Sequence, residues 1–517
     1  MRTWLVYAAP IAVLAACTDL PNEPTAPGVP RAASLAKGGS QGPTGKSSFA
    51  LIEEDVARGL LDKQNANIYR QAAISDPSKL PPKYRSSVKA KDATASLVEM
   101  AKDWSSLSKP TKDAIIDLRG NGFGDLEQSL ETAHFVLHYT KSGNNAVPLL
   151  DANRNNVPDF IDVAAQSAEF TWNREVNQLQ YPPPVGMPQL KFHLYFRDVK
   201  NIYGATYPDN VVLQTTTPVP LGTSTGYIVI ENDFVEGFPP NDEDITGNEP
   251  IRSGALKVTI AHEFMHAIQF AINVYQSGWL FESHATWAED AVYDGINDWH
   301  WYINGFFVSA DLPLFSRDPY GGAFFQNWVS ENYGADVPRQ IWLAARTSTM
   351  QNAIRNVAFG GSWEPLKTFA AAEYTLDIGD FTSEGPTVVP LPTRLPIRAT
   401  HATYPVNVSV GPSTNKAAND APWAFGGANY VEFVPSGNKT LNLTFDGADG
   451  FAWRALAVAI PKNGGAPTTF PITLNGASAG SISIPAFGGK WSKVVLVPSI
   501  VGTEGAEVPY SYGATVN

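Results

Sequence analysis

Residues 262–266 read His-Glu-Phe-Met-His within the apolar run LKVTIAHEFMHAIQFAI. On a helix the two imidazoles stand at i and i+4 and leave one face, a separation that suits two ligands of a single tetrahedral metal. Glu263 then points toward the same cavity. There a carboxylate can accept a proton from a water that the metal activates. Neither Pro nor Gly interrupts Ala255–Asn273, so a buried helix over Ser253–Asn273 is the expected carrier. The plainer reading, two packed histidines around a solvated Glu, competes poorly in a chain with only 8 His.

A hydrolytic zinc site keeps three protein ligands and leaves a fourth position open. The third ligand must therefore come from farther along. The next helix-like segment, WLFESHATWAEDAVYD (279–294), offers Glu282 and Glu289, which are i and i+7 and share a helical face.

A second pattern suits a harder cation. Asp151, Asn153, Asn155, Asp159 and Asp162 occupy positions 1, 3, 5, 9 and 12 of a twelve-residue frame, and Val157 could add its carbonyl at position 7. Oxygen ligands at this spacing suit a structural Ca²⁺. Asn156 stands where the turn Gly is usual, a place Asn tolerates, and Asp162 stands where a longer Glu is usual. An Asn-rich turn capping a helix that starts near Pro158 is the alternative.

The 517 residues, 44% hydrophobic and 17% charged, are ample for several packed units and too apolar for a disordered polymer. The net charge of −13 without a basic stripe excludes nucleic acid as the expected partner. Residues 1–16 form a short apolar segment behind Arg2, too short to span a bilayer, and the only Cys, Cys17, follows Leu14-Ala15-Ala16. This resembles the lipobox of bacterial lipoproteins. It implies a lipid anchor at Cys17 and a place outside the cytoplasm, at the outer membrane or cell surface. Residues 17–46, rich in Pro and Gly, read as a tether.

Residues 47–130 read as a helical segment, a candidate prodomain. Residues 131–385 read as mixed α/β. The strands HFVLHY (134–139), KFHLYF (191–196) and GYIVI (226–230) are expected there, with a helix over Phe160–Leu179. Short alternating runs in residues 386–517, such as YVEFV, TLNLTF, ALAVAI, SISI and VVLV, read as an all-β sandwich. The pair His134 and His138 shares a strand face and reads as packing.

HExxH followed by a Glu on a second helix resembles the gluzincin metallopeptidases. Glu282, opening Glu282-Ser283-His284-Ala285-Thr286-Trp287, matches their third ligand, although Ser283 stands where Gly is usual. That resemblance leaves Glu289 as the group that orients a ligand. Residues 47 to about 345 further resemble a thinly characterised group of secreted bacterial metalloendopeptidases, through HFVLHY, DANRNNVPD, HEFMHAIQ and WLFESHATWAED. The resemblance implies an α+β zincin-like catalytic domain, Zn²⁺ on His262, His266 and Glu282, and a peptide or protein substrate. It also implies extended peptide binding along an edge strand, for which GYIVI is the candidate. Tyr320 lies where such enzymes often supply a Tyr or His beside the reacting carbonyl; His284 and His300 compete for that role. Two other functions stay open at this point: a catalytically silent, calcium-stabilised surface-binding lipoprotein, and a zinc hydrolase of non-peptide acyl substrates. Oligomeric state is not legible.

Overall fold

The structure, a computed structural model, describes residues 46–119, 122–199, 202–216, 219–234, 253–379, 381, 395, 397–411 and 421–517. The signal segment, Cys17 and nearly all of the tether lie outside the described residues. Among the described residues no helix is long and apolar enough to cross a membrane.

Four helices open the described chain: α1 (Ser48–Ala57), α2 (Lys63–Ser75), α3 (Thr94–Asp103) and α4 (Lys109–Arg119). Asp62 caps α2 by accepting from the backbone N–H groups of Gln64 and Asn65. The four helices close their own apolar cluster around Ile52, Leu97, Met100 and Ile115. Ile202 and Ala205, from the sheet described next, complete that cluster.

The central layer is a five-stranded mixed sheet. Its strands are β1 (Gln128–Glu131), β2 (Phe135–Tyr139), β3 (Phe192–Arg197), β4 (Gly204–Thr215) and β5 (Leu221–Glu231), in the order β1-β2-β3-β5-β4. β2, β3 and β5 run parallel, and β1 and β4 close the two edges antiparallel to their neighbours. Expectation and structure differ here. GYIVI lies in β5, inside the sheet, so it cannot offer a free edge to a peptide; the edge beside it is β4. The helix expected over Phe160–Leu179 is α5 (Asp159–Trp172), continued by a π-helical turn over Asn173–Gln178.

Against the sheet lies α6 (Ser253–Asn273), and α7 (Gly278–Val292) packs on α6. α6 is covered on every side, all of its residues except Ala271 being buried. Gly204 on β4 permits its close approach, because a Cβ there would lie 3.0 Å from Thr259 Cγ2 and 3.3 Å from Glu263 Cγ. Helices α8 (Ile303–Phe307), α9 (Ala323–Tyr333), α10 (Val337–Ala345), α11 (Met350–Val357) and α12 (Leu366–Thr375) complete this layer.

The C-terminal region is all β: β6 (Ile397–His401), β7 (Val406–Val410), β8 (Tyr430–Phe433), β9 (Lys439–Gly447), β10 (Trp453–Pro461), β11 (Thr468–Ile472), β12 (Ala479–Phe487), β13 (Trp491–Ile500) and β14 (Tyr510–Val516). β12 meets β13 through the single pair Phe487–Trp491, which divides the strands into a β11-β10-β13-β8-β6 half and a β12-β9-β14-β7 half. Both halves contribute to one apolar cluster, a sandwich-like arrangement. The outer face of the first half is not solvated. Leu456, Val458, Val495 and Val497 join the core of the α/β region. Tyr430 donates to Glu373 Oε2 (3.0 Å) at this junction, and the fully buried Arg317 pairs with Glu373 Oε1 (2.6 Å).

Candidate metal centre

α6 delivers both histidines to one point. His262 Nε2 and His266 Nε2 lie 3.1 Å apart, and each ring is held from behind through its other nitrogen. His262 Nδ1 donates to Glu289 Oε1 (2.7 Å), and His266 Nδ1 donates to Gln269 Oε1 (2.7 Å). Gln269 is itself fixed by donating from Nε2 to the Phe281 carbonyl (3.1 Å). Such support behind both rings leaves both Nε2 atoms free to act as ligands.

Glu282 on α7 faces the pair, its Oε2 lying 3.3 Å from His262 Nε2 and 3.5 Å from His266 Nε2. Both Glu282 oxygens are buried and have no hydrogen-bond partner among the described residues. A buried carboxylate left so is costly unless a cation meets it. Glu289, two helical turns farther along, supports His262 and does not join the ligand cluster, the division the gluzincin resemblance implied. We expect Glu289→Gln to weaken metal binding by about 10–100-fold, read by titration against a competing chelator.

Sequence reasoning missed a fourth member. Asp92, immediately before α3, places Oδ2 3.1 Å from His266 Nε2 and 3.7 Å from His262 Nε2. Ligand atoms of Asp92, His262, His266 and Glu282 all lie within 4.8 Å of one another, and all four residues are buried. Among the described residues this is the one such cluster of three or more His, Cys, Asp or Glu. Two imidazole nitrogens and two carboxylate oxygens form a donor set that fits a metal ion.

Electrostatics agree with that geometry. Burial opposes a charge on His266, yet the Glu282 and Asp92 carboxylates raise its pKa to about 10. Burial would raise the Asp92 pKa, but its hydrogen bonds to His262 and His266 and the charges of those rings hold it well below the usual carboxylate range. The cluster thus carries negative charge that a cation or protonated imidazoles must balance.

Glu263 lies beside the cluster. Its Oε2 accepts from Thr206 Oγ1 on β4 (2.7 Å) and Thr94 Oγ1 on α3 (3.1 Å). Burial and the nearby Asp92 charge push its pKa up to about 8. The Tyr320 ring is centred 6.3 Å from that of His262, so the structure brings it to the site. Burial, then the Glu282 and Asp92 charges, hold its phenol well above the usual value, hence protonated. His284 faces elsewhere: its Nε2 meets the Tyr181 hydroxyl at 2.7 Å, and burial pushes its pKa down to about 3. His300 packs against Trp299 and Phe381. His134 meets Glu169 and stacks on Trp172, while His138 meets His193, which is packing as expected. One further buried acid went unforeseen: Glu175, in the π-helical turn, whose pKa burial pushes well above the usual value.

The 151–162 loop folds as a tight turn ahead of α5. Asn156 adopts φ 71°, the left-handed conformation the missing Gly would have supplied. Asp162 Oδ2 accepts from the amides of Asn153 (2.8 Å) and Asn155 (2.9 Å), so positions 3, 5 and 12 converge. Asp151 instead accepts from the backbone N–H groups of Asn155 and Asn156, and Asp159 accepts from that of Ala152. Its three carboxylates do not form a cluster as close as the one on α6 and α7.

No family profile and no curated protein matches this chain. Among solved structures the chain is similar to a family GH115 4-O-methyl-α-glucuronidase with specificity for decorated arabinogalactans. The identity is 11% and the TM-score 0.15, over 51% of this chain and 39% of that one. The chain thus spans well under half of that protein, and so low a score carries no argument about fold or activity.

Proposed function

We propose that the chain is a zinc-dependent hydrolase that cleaves peptide bonds with an activated water, as an endopeptidase. One observation carries the reading: two imidazoles and the buried Glu282 carboxylate converge on one point, with Glu263 beside them. A binding module has no use for that Glu. His262, His266 and Glu282 would hold the zinc, which when bound supplies Lewis acidity, lowering the pKa of water and polarising a carbonyl. Glu263 takes the proton of the attacking water and returns it to the leaving amine. Tyr320, protonated and at the site's margin, donates to the oxygen on which charge develops. Glu289 and Gln269 keep the two imidazoles in register. The edge strand that an extended peptide needs is β4, on which Thr206 touches Glu263.

In the same reading Cys17 carries a lipid anchor that places the enzyme outside the cytoplasm, and the 151–162 loop binds one structural Ca²⁺. Hydrolysis of an internally quenched peptide library, with and without a zinc chelator, tests the activity. Cleavage should stop with the chelator and return with added Zn²⁺. Cleavage indifferent to chelation would refute the reading.

A further inference from the structure

The N-terminal helical unit does more than adjoin the site; three consecutive features of it enter the site. Asp92 points Oδ2 at both zinc-binding imidazoles, and its other oxygen is fixed by accepting from the Thr94 N–H (2.5 Å). Thr94 donates its hydroxyl to Glu263, the proton acceptor of the proposed reaction. Lys91 is buried between Glu289 (3.0 Å) and Asp298, with its ammonium 4.9 Å from the ring centres of both Tyr203 and Tyr302. The segment is also paired to β4. The Tyr203 N–H donates to the Lys91 carbonyl (2.9 Å), Asp92 bridges Gly204, and the Thr206 N–H donates to Thr94 Oγ1 (2.8 Å).

From this geometry we infer that residues 91–94 form an inhibitory latch, in which Asp92 takes the fourth metal position and the segment lies on the strand edge that a substrate needs. The inference rests on the zinc reading above. A hydrolytic zinc site must keep one position for water, whereas four protein ligands make the closed arrangement of a structural site. The chain as it stands offers four. The fourth comes from a unit whose apolar cluster also takes in Ile202 and Ala205, and which is joined to the catalytic sheet by residues 122–127, of which only Phe123 and Leu126 are half-buried and the rest exposed. Such a connection is open to proteolysis. Cutting it would let the unit leave while α6, α7 and β4 keep the three other ligands and the base.

The test reads ligand access at the metal, so it needs no substrate. The full chain, its variants Asp92→Asn and Asp92→Ala, and the control Glu99→Gln on the outer face of α3 are loaded with Co²⁺. Each is titrated with acetohydroxamate while the visible spectrum is recorded. If the position is open only about 1–10% of the time, the parent and control bind the hydroxamate about 10–100-fold more weakly than the Asp92 variants. Equal affinity in parent and Asp92→Asn overturns the latch. Should the variants fold poorly, the parent decides alone: a spectrum that responds fully at the first equivalents of hydroxamate means the fourth position is open and the latch is absent. A parent chain that takes up no Co²⁺ is a distinct failure, overturning the metal reading and the latch with it.

Discussion

Glu263→Gln lowers peptide hydrolysis by about 10²–10⁴-fold while one zinc per chain remains bound. The substitution keeps the shape and removes the proton acceptor. Both zinc-binding imidazoles keep their supports, Glu289 and Gln269, since neither bears on Glu263. Thr206 and Thr94 can still donate to the amide oxygen, so the cost to the fold should be small. The comparison is made in whichever form of the chain turns over peptide, whole or processed, with zinc measured on the same sample. Undiminished turnover would remove Glu263 from the reaction.

Glu282→Ala strips the centre of most of its zinc, by more than the about 10–100-fold that losing a supporting hydrogen bond costs. The carboxylate is the one α7 group aimed at both Nε2 atoms, and nothing else among the described residues engages its oxygens by hydrogen bonding. Its loss leaves His262, His266 and Asp92, with Asp92 held by a separable unit. Hydrolysis falls in parallel with zinc content and recovers only in excess metal. Full zinc retention after dialysis would transfer the ligand role to another group, Glu289 first.

The parts of this site legible in the sequence are the local ones. His262, Glu263 and His266 sit on one uninterrupted helix, so spacing alone fixes their common face, and α6 runs over the residues its apolar run marks. The roles of Glu282 and Glu289 needed more than spacing, because both share a face of α7; the gluzincin resemblance separated them, and the geometry agrees. Asp92 had no such signal. It lies in a short turn far along the chain from the HExxH helix, and contacts of its segment with β4, Glu263, Glu289 and Asp298 bring it there. β4 itself carries Pro208, Asp209 and Asn210, residues that disfavour a strand; it absorbs them as a bulge at the sheet edge, where Pro is tolerated. Placing GYIVI at the edge followed from not seeing β4. The docked sandwich face was missed: ALAVAI and VVLV, grouped above with the alternating runs, are apolar throughout, the mark of strands covered on both faces, and β10 and β13 are buried so.

Elemental analysis of the purified, extensively dialysed chain tests the central claim most directly, because it depends on neither substrate nor latency. The account predicts one zinc per chain, with one calcium besides for the 151–162 loop. A chain that holds no zinc, and takes up none when zinc is offered back, contradicts it.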